Sequence, residues 1–258
     1  MLYVIGLGPG GETGITLQAR QALADSQVVL GYKAYVEQAA PWLTGQEVRA
    51  SAMTRELERA GQAVDLALNG RRVALISGGD PGIYAMAAVV FELARSRGVD
   101  LGPEDLRVEV VPGVPAVAAA AALLGAPLSH DFACISLSDR LTPWNLIERR
   151  LDLAAQADFV IALYNPKSKG RDWQFARACQ VVAQHREPAT PVGVVGRASR
   201  PGQSIVLTDL AGAPQALVDM QTIVIIGSSQ SFAYQGRMVT PRGYLRKYGD
   251  GRAGGAGE

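Results

Sequence analysis

The residues able to do chemistry in this 258-residue chain gather at turns. The central stretch is Leu75-Ile76-Ser77-Gly78-Gly79-Asp80-Pro81-Gly82-Ile83-Tyr84. Val73 to Ile76 is a short apolar run with the length of a buried strand. Ala85 to Arg97 is a helical run closed by Gly98. Ligands of open α/β sheets bind at the carboxyl ends of strands, where this glycine-rich turn falls. Gly78 and Gly79 carry no side chain and let a ligand approach bare backbone. Asp80 adds one fixed acceptor, suited to a pair of hydroxyls such as a ribose diol. The plain alternative is that Asp-Pro-Gly is only a turn and a helix cap.

A second glycine-rich turn, Gly6-Leu7-Gly8-Pro9-Gly10-Gly11, follows the strand Leu2 to Ile5. It formally matches the dinucleotide pattern G-x-G-x-x-G. The details disagree. The best helix start is Thr16, well past the last glycine. Pro9 removes a backbone donor that a pyrophosphate would use. The next strand, Val28 to Leu30, ends in Gly31-Tyr32-Lys33 with no acid for a ribose, and Asp25 precedes it. No Gly-Lys-Ser/Thr is present, which excludes a P-loop. A third junction, Val110-Val111-Pro112-Gly113-Val114-Pro115, opens the alanine-rich helix Ala116 to Leu124, closed by Gly125.

His130, with Asp131 and Asp139 near it in sequence, is the first candidate proton acceptor; a turn histidine is the plain alternative. Ser129-His130-Asp131 is contiguous and so is not a triad, whose members converge from separate segments. His185 sits at a helix end and reads as a surface residue. Basic residues follow strands in three groups: Lys167, Lys169 and Arg171; Arg197 and Arg200; Arg237 and Arg242. The planar fork of arginine suits carboxylates. Together these groups suit an anionic ligand with several carboxylates. The formal net charge of +1 argues against nucleic acid or a membrane surface. Cys134 and Cys179 sit in apolar patterns, so neither a disulfide framework nor a metal site is expected, and the histidines lack metal-ligand spacing. A reducing cytoplasm is the expected compartment. No signal-peptide pattern and no apolar run near ~20 residues occur.

The elements that must position these residues alternate. Leu17 to Ala24, Ala34 to Trp42 and Glu56 to Leu68 are helical, between strands that include Val73 to Ile76 and Arg107 to Val111. Such alternation predicts a parallel sheet with helices on its faces. In the second half, Cys134 to Leu137, Phe159 to Tyr164, Val192 to Val195, Ser204 to Thr208 and Ile223 to Ile226 read as strands with fewer helices between. Asn145 to Ala155 and Trp173 to Gln184 are the helices. The fold class is therefore α/β, with an N-terminal parallel-sheet domain over 1–113 and a C-terminal mixed-sheet domain over 114–248. Residues 249–258 have the composition of a disordered tail.

Three motifs, Gly6-Leu7-Gly8-Pro9-Gly10, Ser77 to Tyr84 and Val111-Pro112-Gly113-Val114, occur in the order and spacing of the tetrapyrrole (corrin/porphyrin) S-adenosylmethionine methyltransferases, which the chain resembles over 1–245. Further pieces resemble the ring-contracting branch of that family, which methylates C17 of a precorrin-3B-type ring in cobalamin biosynthesis. They are Gly31 to Tyr35, His130-Asp131-Phe132 with Ile135 to Asp139, Ala162-Leu163-Tyr164-Asn165-Pro166, and Gly236 to Tyr244. The resemblance implies two α/β domains with a cofactor cleft between them, a homodimer, and S-adenosyl-L-methionine as donor, leaving as S-adenosyl-L-homocysteine. It implies cofactor contacts at Pro9, Gly78, Gly79, Asp80, Ile83, Pro115, Ala116, Asn165 and Gly196. Gly11 stands where an acid is usual, and Pro115 where a hydroxyl residue is usual. Under this resemblance the basic groups bind substrate carboxylates. His130, then Lys33 and Asp139, are the candidate bases for ring contraction, and any cobalt belongs to the substrate. The alternatives are a sibling methylase acting at another ring carbon and a dinucleotide-dependent oxidoreductase.

Overall fold

The computed structural model describes residues 1–102 and 105–249, which fall into two compact units. The first comprises 1–119 with 198–201. Its elements are β1 (Leu2–Gly6), α1 (Leu17–Asp25), β2 (Val28–Tyr32), α2 (Lys33–Ala39), β3 (Glu47–Ser51), α3 (Glu56–Leu68), β4 (Val73–Ser77), α4 (Met86–Ser96) and β5 (Val108–Val111). The strands form one sheet in the order β3-β2-β4-β1-β5. All its pairings are parallel. Successive side chains of a strand point to opposite faces, and the core divides accordingly. Leu2, Val4, Val28, Leu30, Val73 and Leu75 pack with Ala60, Val64 and Val90 of α3 and α4. Ile5, Val29, Ala74 and Ile76 pack with Ala19 and Leu23 of α1 on the other face. Parallel strands buried on both faces carry apolar runs rather than alternation, which is why these strands were legible. Thr16 caps α1, its hydroxyl accepting from Ala19 N–H at 3.1 Å.

Helix α5 (Ala116–Leu124) begins in the first unit and ends in the second, which among the described residues comprises 120–197 and 202–249. The second unit holds β6 (Gly125–Ala126), β7 (Phe132–Ser136), α6 (Trp144–Gln156), β8 (Val160–Tyr164), α7 (Gln174–Val182), β9 (Pro191–Gly196), β10 (Ser204–Asp209), β11 (Thr222–Ile226), β12 (Phe232–Tyr234), β13 (Arg237–Val239) and α8 (Tyr244–Tyr248). Its main sheet has the order β10-β9-β11-β8-β7. β7 and β8 are parallel, and β11 is antiparallel to both β8 and β9. Strands β7, β8 and β9 therefore point the same way, and their carboxyl ends share one edge. Ile135, Leu163, Val194 and Val224 of this mixed sheet pack with Ile147, Leu151, Phe175 and Val182 of α6 and α7. A small sheet joins β12, β13 and β6.

Several short strands are exposed rather than buried. Every residue of β3 but the last is exposed, and β6 and β12 are exposed throughout. The helix expected over 34–42 is α2 followed by a 3-10 turn at Ala40–Trp42, which contains Pro41. Only Gly249 of the expected disordered tail lies within the described residues. His185 is not a free surface group: its Nε2 lies 2.7 Å from Asp152 Oδ1. Beside it, Arg186 is buried, and its side chain ties the end of α6 to the ends of two strands. It donates to Ala155 O at 2.5 Å and Phe159 O at 3.2 Å, and pairs with Asp158 Oδ1 at 3.1 Å.

Truncating Arg186 leaves the buried carbonyls of Ala155 and Gly227 without its donors. Arg186→Ala should cost about 3 kcal/mol, read as a lower urea midpoint at unchanged slope. Burial pushes the Cys179 thiol up to about 12. It is neutral at pH 8, so native protein should leave Cys179 unalkylated and unfolded protein should not.

Candidate functional site

Three turns leave the carboxyl edge of the first sheet, after β1, β4 and β5, and they meet at glycines. A Cβ on Gly113 would stand 2.2 Å from Gly79 O, and a Cβ on Gly6 would stand 2.5 Å from the same oxygen. Only glycine allows this approach. Gly79 also has φ +66°, a left-handed conformation that favours glycine. The first two turns pair directly: Gly8 N–H donates to Gly79 O at 3.1 Å, and Gly79 N–H to Gly8 O at 2.8 Å. Asp80 then pins the third. Its Oδ1 accepts from Gly82 N–H at 2.8 Å and its Oδ2 from Gly113 N–H at 3.1 Å. Asp80 is thus a turn residue and a clamp, and each carboxylate oxygen still has a lone pair for a ligand hydroxyl.

This arrangement suits some ligands and not others. The Gly8 and Gly79 amides are spent on each other, and Pro9 has none, so a pyrophosphate would lack the donors it takes from such loops. Ser77, at the end of β4, is buried, and its hydroxyl has no hydrogen-bond partner among the described residues. A buried hydroxyl without a partner is costly and marks a place for a polar ligand atom. A nucleoside that presents a diol and no phosphate fits these groups. Ile83 lies in the same turn and is half-buried, its N–H donating to Asp80 O at 3.3 Å. Pro115 precedes α5 and Ala116 opens it, their backbone 3.9 and 3.7 Å from where a Cβ on Gly79 would stand.

The Tyr35 ring covers Gly78: a Cβ there would be 2.6 Å from Tyr35 Cε1. Tyr35 also meets Tyr32 edge-on, with ring centroids 5.6 Å apart. Burial pushes the Tyr35 phenol up, against a smaller opposing pull from Arg200 and Arg59. Arg200 lies across the first turn, its Cγ 2.2 Å from where a Cβ on Gly10 would stand. Lys33 opens α2 and is exposed.

In the second unit, Asn165 and Asp139 follow the carboxyl ends of β8 and β7, and Gly196 is the last residue of β9. Asn165 has φ +52°, and its Nδ2 donates to Ser136 Oγ at 2.9 Å. Asp139 accepts from Gln174 Nε2 at 2.9 Å, with Arg171 Nε 3.9 Å away. Arg171 differs from the open carboxylate binder expected. It is 6% exposed and donates to Leu137 O at 2.9 Å. Arg197 faces Asp219 at 3.5 Å, and Arg237 donates to Leu123 O at 3.2 Å. Lys167, Lys169 and Arg242 are exposed. His130 lies before β7, at the opposite edge of this sheet from Asp139, Asn165 and Gly196. The four residue steps of β7 separate the two edges by roughly 13 Å. Its Nδ1 accepts from Asp131 N–H at 2.8 Å. It lines a cavity of about 150 Å³ with Asp158, Ser228 and Thr240. Ser77, Tyr35 and Gln174 were not singled out as site residues from sequence. Tyr35 was visible only as part of the Gly31 to Tyr35 motif.

The chain matches the tetrapyrrole (corrin/porphyrin) methylases over residues 1–214. It is 47% identical over 249 residues to the cobalt-factor III methyltransferase of Priestia megaterium, covering 96% of this chain but 46% of that relative. The chain thus spans about half the length of that protein. It is 46% identical over 244 residues to a Salmonella typhimurium protein named probable cobalt-factor III C(17)-methyltransferase, covering 95% of this chain and 99% of the relative. The crystal structure of the methyltransferase CobJ superposes with a TM-score of 0.86 at 38% identity, covering 93% of this chain and 99% of that one.

The glycine contact is testable alone. Gly113→Ala forces backbone apart and should destabilise the protein by about 2 kcal/mol, read as a lower thermal midpoint.

Proposed function

The chain belongs to the tetrapyrrole (corrin/porphyrin) methylases, and we propose that it methylates C17 of a precorrin-3B-type ring, metal-free or cobalt-loaded, with contraction of the macrocycle. The observation that carries this reading is the near-complete mutual coverage with the Salmonella protein and with CobJ. It works as a cytoplasmic homodimer. S-adenosyl-L-methionine, when bound, supplies an electrophilic methyl group and leaves as S-adenosyl-L-homocysteine.

The residues fit that donor. In the first unit Asp80 accepts from the ribose hydroxyls, and Pro9, Gly78, Gly79, Ile83, Pro115 and Ala116 give backbone and apolar contacts. Pro115 has no hydroxyl, so the polar contact usual at that position passes to backbone or to Ser77. In the second unit Asn165 and Gly196 contribute. Methyl transfer to an electron-rich ring carbon needs alignment above all. The exposed Lys167, Lys169 and Arg242, with Arg197, Arg200 and Arg237, bind ring carboxylates; Arg171 holds the edge that presents them. Ring contraction needs a base at the oxygen on the extruded carbon. Asp139 is the favoured candidate, because it shares a strand edge with Asn165 and Gly196 and Gln174 fixes its orientation. Lys33 is the second. His130, at the other edge, ranks behind both.

Incubation with donor and either ring substrate should give a methylated, contracted product by mass and NMR. A methyl at another carbon would instead identify a sibling methylase. Asp80→Ala should weaken S-adenosyl-L-homocysteine binding by roughly tenfold or more in calorimetry. Asp139→Asn should slow contraction while His130→Ala leaves it unchanged; the reverse result would restore His130 as the base. Light scattering checks the dimer.

A further inference from the structure

Three arginines of the described residues are buried, and two of them face an acid. Arg171 lies 3.9 Å from Asp139, and Arg186 lies 3.1 Å from Asp158. Arg59, on α3 and 5% exposed, has no carboxylate among its bonded partners in the described residues. Its Nη1 donates to Ser51 Oγ at 2.5 Å and, at a long 3.4 Å, to Ala52 O. Among the described residues its Nη2 reaches only the Met86 sulfur, at 3.8 Å, and its Nε has no partner. Exposed Glu56 acts on it only through space, and burial is the largest influence on the group. A buried cation without a counter-anion is one of the costliest arrangements a fold can keep.

We propose that Arg59 forms a carboxylate subsite in the first unit, whose counter-anion arrives with a ligand. The free edge of the guanidinium, Nε–H with the second Nη2–H, matches the two oxygens of one carboxylate. The position fits. Ser51 closes β3, Ala52 follows it and Met86 opens α4, so the guanidinium lies at the carboxyl edge of the sheet, within electrostatic reach of the Tyr35 phenol that packs on Gly78. The segment following β3 is exposed, and Thr54 within it has φ +72°. That conformation is strained for a β-branched residue, and such strain gathers where a loop must yield to a ligand.

The subsite rests on the methylase reading, which offers two carboxylate sources: the side chains of the ring and the amino-acid end of the donor. The test compares wild type, Arg59→Met and Arg59→Lys. S-adenosyl-L-homocysteine is titrated by calorimetry and an octacarboxylate porphyrin by fluorescence quenching. Thermal midpoints are recorded without ligand. Arg59→Met should weaken one probe by roughly tenfold or more and leave the other within about twofold. Loss confined to the porphyrin assigns the ring, and loss confined to the homocysteine probe assigns the donor. Arg59→Lys keeps the charge but not the fork and should fall between; it decides the matter if the methionine variant does not fold. The thermal midpoint of Arg59→Met should hold or rise, since an uncompensated charge has been removed. Unchanged affinities for both probes, with or without a fall in thermal midpoint, would make Arg59 a structural residue and overturn the proposal. Should wild type bind neither probe, the methylase reading fails. Citrate then tests the subsite: it should raise the thermal midpoint of wild type but not of Arg59→Met, and an equal rise in both overturns it.

Discussion

One carbonyl oxygen, that of Gly79, sets the geometry of the first unit's functional edge. Turns after β1 and β5 both close on it, and each does so through a glycine, Gly6 and Gly113. A single methyl group at either position would hold two strands' ends apart. Because the turns can touch, the Asp80 carboxylate can span from its own turn to the next and take two backbone donors. The side chain that would meet a nucleoside is therefore oriented before any ligand arrives. Such pre-orientation lowers the cost of binding. The same contact uses up the amides a phosphate would need, so one interaction both orients the Asp80 carboxylate and disfavours a dinucleotide.

The strands of the first sheet were legible because parallel strands covered on both faces write themselves as apolar runs: Val73 to Ile76 and Val28 to Leu30 have nowhere to show alternation. β3 was not, since Glu47–Ser51 is an edge strand whose side chains face solvent almost throughout. The glycines of the three turns were visible, but part of the reason for them was not. Gly78 reads as bare backbone for a ligand, yet the ring of Tyr35, more than forty positions earlier, stands over it. Contacts of that kind depend on the sheet order β3-β2-β4-β1-β5, which no local pattern encodes.

Arginines were the least readable residues. Composition treats them as solvent-facing, and for most that is right. Arg59, Arg171 and Arg186 are interior, each holding carbonyl oxygens at the end of a helix or strand. Arg171 sits in a run of basic residues, Lys167, Lys169 and Arg171, and nothing in the spacing separates the buried member from its exposed neighbours. His130 illustrates the same limit of local reading. Its neighbourhood in sequence includes Asp139, but β7 runs between them and carries them to opposite edges of the sheet.

The first unit is discontinuous in sequence: residues 198–201 belong with 1–119, and Arg200 lies across Gly10. The ribosome therefore delivers the last piece of the first unit long after the rest. At ~5–20 residues per second the interval between Gly10 and Arg200 is ~10–40 s, far longer than a small domain needs to fold. During synthesis the Gly8–Pro9–Gly10 turn exists without its cover, and the nascent first unit matures only when most of the second has been made. The order of translation thus ties completion of one unit's ligand edge to the appearance of the other.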